Sequence, residues 1–431
     1  MEYQEYQQYL GLKNEMYEHF MHFIDDEENI DTNFDELNAN LKKSNYLESP
    51  DEFKTILYLI SGINKNHHRS STHFEKIKRF FSNYEEYIKQ NFTQKDLIQI
   101  FQKNMQILHF FINEKYISHF GKLMNKKPLD EFIYRQYDEE KDIDMHKMEM
   151  QKGKHFNSTK IFENYIYYFY MDTKSDFHSG FESAIESKLL KMDENILQDF
   201  EQKCQIGEND SIVAKLIRED NIVDFIKYSN QVNLPSEIPP SIFETNPLLI
   251  SRPASLIEYA AFHGSNQIFN HLRFKHFELT PSLWIYAIHG RNPEIIHTLE
   301  RDKIEPEDKT FMECLKESIK CHHNELVNYF LNNQMINQTI EINETNFNTN
   351  PVCYGFHYYN FEILNDYAKD SPNLQLSLFY ACLYDNLPIV KLLVNSKRID
   401  LNKCIIQTKY FFYEVKIKIF KQKYFEYNFK N

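Results

Sequence analysis

The sequence predicts an all-α protein, an N-terminal helical region followed by a solenoid of stacked helix pairs. Three observations predict it. Apolar residues recur at helical spacing over most of the 431 residues, with few breakers. The stretch SLWIYAIHGRNPEIIHTL (282–299) repeats SLIEYAAFHGSNQIFNHL (255–272) at Ser255/Ser282, Leu256/Leu283, Tyr259/Tyr286, Ala260/Ala287, Ile268/Ile295 and Leu272/Leu299. Finally, one short apolar pattern returns six times in the second half of the chain.

From the N-terminus, residues 1–136 read as a helical region. Met16, Tyr17, Phe20, Met21 and Ile24 share one helix face, and so do Phe101, Met105, Leu108 and Ile112. Residues 137–204 read as a polar linker with irregular helices, because YDEEKDIDMHKMEMQKGKHFNSTK (137–160) is charge-dense and almost without period. Residues 205–402 form the repeat region. Within it, 235–253 is rich in proline, so no helix is expected to run through it. Residues 337–355 read as a long Asn- and Thr-rich connection. Residues 403–431 are a basic and aromatic tail outside the repeat.

The repeated pattern is NIVDFI (221–226), NQIFNHL (266–272), PEIIHTL (293–299), NELVNYF (324–330), FEILNDY (361–367) and PIVKLLV (388–394). Anchored at Ile222, Ile268, Ile295, Leu326, Ile363 and Ile389, the steps are 46, 27, 31, 37 and 26. The two long steps contain the proline-rich and Asn-rich insertions. The others lie near 30, a period that signals stacked helix pairs. A short first helix such as Ser255–Phe262 reverses at His263-Gly264 or His289-Gly290, where glycine supplies left-handed or close-packed backbone. Ala260, Ala261, Ala287 and Ala381 let helices approach. One pair cannot bury both faces, so it needs neighbours, and the motif is copied.

These residues carry a resemblance. ACLYDNLPIVKLLVNSKRIDLN (381–402) looks like an ankyrin repeat, with Asp385 where the turn glycine usually stands. The T-P-L-H opening survives only as SLIEY and SLWIY. A closer resemblance is to an ankyrin-like family of unknown function expanded in trichomonad protists. Its marks are HHRSSTHFEKIKRFF, QIFQKNMQILHFFINEKYI, IGENDSIVAKLIREDNIVDFI with PPSIFETNPLLI, and SLIEYAAFHGS through SLWIYAIHGRNPEIIHTLE to SIKCHHNELVNYF. Together they run from about 67 to 330, while 120–200 and the tail match poorly. The resemblance implies an intracellular ankyrin-type interaction protein and brings no established activity.

Charge and composition exclude several classes. A net charge of −14 repels polyanions, so no nucleic-acid partner is expected, although lysines alternate with aromatics in KYFFYEVKIKIFKQKYFEYNFK. No apolar run reaches the roughly 18 residues of a membrane span. The acidic, polar N-terminus is not a secretory signal, and the six cysteines form no CxxC pair, which predicts reduced thiols and a cytoplasmic location.

No cofactor or metal is predicted. The nine glycines are isolated, and no GxGxxG or GxxxxGK[ST] occurs. Cys321-His322-His323 with Cys314, and likewise His67-His68, read as residues that cap and pack helix ends, because adjacent histidines rarely share one ion. DDEENIDTNFDE (25–36) places oxygen-bearing side chains at calcium-loop positions, but Ile30 occupies the place that needs glycine, and Ile143 does so in a second near-match from Asp138. Both read as solvated loops. His263 and His289 recur with the repeat, so they read as hydrogen-bonding across neighbouring turns rather than as catalysts.

The expected function is a non-enzymatic protein–protein interaction scaffold with a protein partner of unknown identity. By analogy with ankyrin units, Trp284, Glu258, Arg291, Asn292, Arg273 and Lys275 lie near the contact surface, with a core position the equal alternative for Trp284. The alternative function is an enzyme or ligand-binding domain in the N-terminal helices, targeted by the repeats. Membrane-surface attachment through the tail is a third.

Overall fold

A computed structural model describes residues 2–118, 194–332, 350–394 and 399, apart from residues 45, 69, 71, 370 and 371. The linker at 137–160, the near-match at Asp138 and the tail from 403 lie outside the described residues. Among the described residues the protein is all-α, and its only β-type pairing is one bridge between Glu237 and Ser255. The chain divides into two compact units, Ile60–Ile340, and Met1–Leu59 with Glu341–Asn431.

The first unit begins within helix α3 (Pro50–Asn66) and continues through α4 (His73–Asn83), α5 (Glu85–Asn91), α6 (Gln94–Phe101) and α7 (Met105–Asn113). Phe101, Met105, Leu108 and Ile112 do not share one helix. The chain breaks at 102–104, where Asn104 turns its amide onto the Ser61 carbonyl (3.1 Å) and hydroxyl (2.7 Å). Phe81, Phe101, Phe111 and Tyr116 fill the core between these helices, with Phe81 and Phe111 ring centres 4.8 Å apart. Helix α8 (Glu194–Ile206) packs on α7. Gln106 secures it by donating to the carbonyls of Gln205 (2.6 Å) and Ile206 (3.0 Å).

Four helix pairs follow in this unit. They are α9 (Ile212–Arg218) with α10 (Ile222–Gln231), α12 (Leu256–Phe262) with α13 (Asn266–Phe274), α14 (Leu283–Gly290) with α15 (Pro293–Arg301), and α16 (Met312–Lys320) with α17 (Asn324–Asn332). First helices touch first helices in the order α9, α12, α14, α16, and second helices touch in the order α10, α13, α15. The proline-rich stretch does contain one short helix, α11 (Pro247–Ser251). Proline has no N–H to lose at the first position of a helix, so Pro247 starts this one rather than breaking it.

The second unit holds two more pairs, α18 (Pro351–Tyr358) with α19 (Phe361–Lys369) and α20 (Leu374–Leu383) with α21 (Leu387–Val394). It also holds α1 (Glu2–Asp25) and α2 (Ile30–Lys43), and α1 packs along α19. Gln7 donates to the Ala368 carbonyl at 2.7 Å, and Lys391 pairs with Asp51 at 2.6 Å. The acidic stretch 25–36 is not the solvated loop expected, because only 26–29 connect the two helices and 30–36 form the start of α2, with Asn33 and Phe34 buried. The Asp26 carboxylate accepts the N–H groups of Glu28 and Asn29 at 2.8 and 3.1 Å and the side-chain amides of Asn29 and Asn33 at 3.0 Å. It thereby organises the start of α2.

A left-handed residue opens every second helix. These are Asp220, Gly264, Arg291, His322, Tyr359 and Asp385, with φ between 44° and 67°. Their spacings are 44, 27, 31, 37 and 26 residues. The first step is therefore 44, not the 46 given by anchoring on Ile222, and Phe225 rather than Ile222 occupies the buried place of Phe269.

The same frame explains why the two His-Gly pairs fall one residue out of step. Gly264 is the left-handed residue of its turn, at φ 67°. In the next copy that role belongs to Arg291, and Gly290 is still helical. Gly290 instead permits close approach, since a Cβ there would stand 1.9 Å from the Ala261 carbonyl oxygen. The two glycines do different jobs at one junction between α12 and α14.

Candidate functional site

The residue after the left-handed position caps the following helix, as Asn221 does, or ties its pair to the one before, and Asn292 does both. Asn292 accepts the Glu294 N–H at 3.0 Å and donates to the Gly264 carbonyl at 2.9 Å. Ser265 donates to the Ile217 carbonyl at 2.6 Å, and His323 Nδ1 donates to the Ile288 carbonyl at 2.9 Å. Each bond runs from one pair to the pair before it, so the turns form a ladder. The Ser265 and His323 bonds are buried, where leaving such a group unpaired costs about 1–3 kcal/mol.

Of the six residues expected at a contact surface, most serve the fold. Trp284 is 1% exposed, and its indole N–H donates to the Ile304 carbonyl at 2.6 Å. It is a core residue, which decides for the core alternative over the surface placement; its ring meets Phe311 edge-on at 5.1 Å. Glu258 closes a capping box with Ser255 and accepts from Thr280 and Ser282, which joins the starts of α12 and α14. Asn292 caps α15. Arg273 forks onto Asp302 at 2.6 and 2.9 Å, and Arg291 pairs with Glu325. Lys275 alone of the six is exposed.

Lys275 sits at the tip that follows α13. Its neighbour Phe274 is 76% exposed, the highest value among the exposed large hydrophobics of the described residues. His276 is left-handed here (φ 62°), as Lys303 is at the corresponding tip 27 residues on (φ 56°). The two tips are tied by the Arg273–Asp302 pair. The sequence signal was available, because Phe274 falls off the apolar stripe Ile268, Phe269, Leu272 that α13 buries. Val223 (61%) and Ile226 (37%) are also exposed, one turn apart on α10.

A second constellation lies in the interior. His289 near the end of α14 donates from Nε2 to Glu317 Oε1 at 2.7 Å, and Lys320 donates to the same oxygen at 3.1 Å. The Cys321 sulfur stands 3.6 Å from Nδ1 and 3.7 Å from Nε2 of His289. Burial pushes Glu317 upward, but the Lys320 ammonium and the His289 hydrogen bond outweigh it and hold the carboxyl well below the usual range. Burial drives the Cys321 thiol up and keeps His323 neutral, with His67 adding to the latter effect. His67 Nδ1 meets the Cys321 carbonyl at 2.7 Å, and the His68 N–H donates to His323 Nε2 at 3.4 Å.

His289 thus bonds across neighbouring turns, as the recurrence suggested. His263 packs against Tyr259 and Phe262, with ring centres 4.5 and 4.9 Å apart. Cys321, His322 and His323 occupy the C-cap of α16, the left-handed turn and the start of α17. What spacing within one segment could not reveal is that His289 comes from the preceding copy.

Residues 274–354 match a domain of unknown function (DUF3447). The match begins at the exposed Phe274 and takes in α14 to α17. Comparison with curated proteins and with solved structures returns no match. Among the described residues, no helix is long and apolar enough to cross a membrane.

Proposed function

We propose that the protein is a non-enzymatic protein-interaction scaffold whose helix pairs form an ankyrin-like solenoid. The repeating turn, the row-on-row helix contacts and the ladder of inter-pair hydrogen bonds support the solenoid reading. They also account for the copied sequence, since Leu256/Leu283, Tyr259/Tyr286, Ala260/Ala287, Ile268/Ile295 and Leu272/Leu299 are all buried. The buried thiols at Cys314 and Cys321 fit a reducing, cytoplasmic setting. The resemblance to the ankyrin-like family of trichomonads belongs to the same reading, and the matched domain overlaps the stretches that carry it.

The observation that carries the interaction reading is Phe274. A phenylalanine left 76% exposed on an otherwise packed repeat forgoes much of the roughly 1.5–3 kcal/mol that burying it would supply. Aromatic side chains at such positions anchor protein interfaces. Lys275 and His276 flank it with polar contacts, and the neighbouring tip at Lys303 extends the surface.

Amine-reactive cross-linking of the full chain in source-cell lysate, read by mass spectrometry, tests this. The proposal expects a stoichiometric partner cross-linked at Lys275 or Lys303. Cross-links confined to lysines of α1 to α3, with none at the tips, would overturn the placement.

A further inference from the structure

We propose that His289, Glu317 and Cys321 form a site for one zinc ion between two adjacent helix pairs. The ligands are the Cys321 thiolate, a Glu317 carboxylate oxygen and a ring nitrogen of His289. Their ligating atoms lie within 4.8 Å of one another, and all three residues are buried. Thiolate, imidazole and carboxylate together are a donor set that zinc accepts.

The distances decide how far the site must move. Zinc binds sulfur at about 2.3 Å and nitrogen or oxygen at about 2.0–2.1 Å, so tetrahedral angles require S···N near 3.6 Å and N···O near 3.4 Å. The sulfur is 3.6 and 3.7 Å from the two ring nitrogens, near-equal distances that set it beside the ring and on neither lone pair, so the Cys321 side chain must also rotate for the sulfur and one nitrogen to share an ion. The His289–Glu317 separation is 2.7 Å, so the carboxylate must withdraw by about 0.7 Å to reach the zinc-bound value. Rotation of a terminal carboxylate supplies such a movement without shifting α16.

The backbone holds the three residues in place. Glu317 and Cys321 are four residues apart, which puts both on one face at the end of α16. His289 is fixed at the facing end of α14, its ring stacked on Phe262 at 4.9 Å and 24°. The fourth position is left for water.

Charge also balances. Zinc entry displaces the Cys321 thiol proton, so the ion with one thiolate and one carboxylate is neutral. Lys320 is then no longer required at Glu317, and its side chain, already 15% exposed, can turn to solvent. Without the ion, Glu317 is held by His289 and Lys320. The site is therefore satisfied by hydrogen bonds when empty, and the ion adds a clamp between the α14 and α16 pairs rather than a condition for folding.

Chelator-stripped full-length protein, incubated with zinc and desalted, should retain one zinc per chain. Cobalt in its place should give thiolate-to-metal charge-transfer absorption. X-ray absorption of the zinc protein should show one sulfur at about 2.3 Å and the remaining scatterers as nitrogen or oxygen. Cys314→Ser should keep the cobalt band, while Cys321→Ala should lose it and His289→Gln should weaken zinc binding at least tenfold. Retention below about a tenth of an ion per chain overturns the proposal. So does a first shell without sulfur, or a cobalt band unchanged in Cys321→Ala. The wild-type measurements decide even if a variant fails to fold.

Discussion

Gly290→Ala sets two physical expectations against each other. By helix propensity alone, alanine in place of a helical glycine should stabilise by up to about 1 kcal/mol. The structure predicts the opposite. The new Cβ would lie 1.9 Å from the Ala261 carbonyl oxygen and 2.7 Å from the Gly264 nitrogen, both backbone atoms of the neighbouring pair. Separations under 3.0 Å are essentially never seen for a Cβ. Helix α14 must therefore move away from α12 by more than an ångström. That movement stretches the Asn292–Gly264 bond and loosens the contacts of Ala260 and Ala287.

Overpacking of this kind costs about 1–3 kcal/mol, and straining one partly buried hydrogen bond adds about 1 kcal/mol. After the propensity gain, a net loss of about 2 kcal/mol remains. At a urea slope of about 2 kcal/mol/M, the unfolding midpoint should fall by about 1 M. Trp284 is the only tryptophan and is buried in α14, so its fluorescence reports on this junction. An unchanged or raised midpoint would refute the close-approach argument.

Three further outcomes follow from other contacts. Trp284→Ala should destabilise by about 3–5 kcal/mol, and Trp284→Phe by much less, as seen in circular-dichroism melts. Asp385 adopts φ 57° and accepts from Lys54 (2.9 Å) and Tyr58 (3.1 Å), so Asp385→Ala should cost about 2 kcal/mol in chemical denaturation, whereas Asp385→Asn, which tolerates the left-handed region, should cost less. His109 is buried, and its pKa is lowered to about 4 by burial. Because the unfolded chain protonates it first, its contribution is complete above about pH 6.5 and is lost as pH falls toward 4; between pH 7.5 and 5 the loss is about 2 kcal/mol. His109→Gln should remove that part of the pH dependence of unfolding, and an unchanged slope would contradict it.

The helical class and the pairs were legible because amphipathic stripes and copies are local signals. Ala260, Ala261, Ala287 and Ala381 are all fully buried, as their small size implied. The break after Phe101 was not legible, since α6 and α7 keep one apparent stripe across the turn at Asn104. Nor was the packing of α1 along α19, which joins residues more than 300 positions apart through contacts such as Gln7 to Ala368. The recurring turn could have been read more closely: Asp220-Asn221, Arg291-Asn292, Tyr359-Asn360 and Asp385-Asn386 share one grammar, a left-handed residue followed by an asparagine cap. Of the six candidate surface residues, only Lys275 is exposed. For Trp284 the sequence left surface and core equally open, because a lone tryptophan resembles an anchor until its indole N–H is seen bonded inside. The His289–Glu317–Cys321 set escaped because its members come from two copies of the repeat.

The central claim is that the tip bearing Phe274 and Lys275 binds a protein partner. The most direct measurement is quantitative capture from source-cell lysate by full-length wild-type protein and by Phe274→Asp, with folding of both confirmed by Trp284 fluorescence. The account predicts that a stoichiometric protein retained by the wild type falls at least tenfold with the variant. Equal retention by both would contradict it.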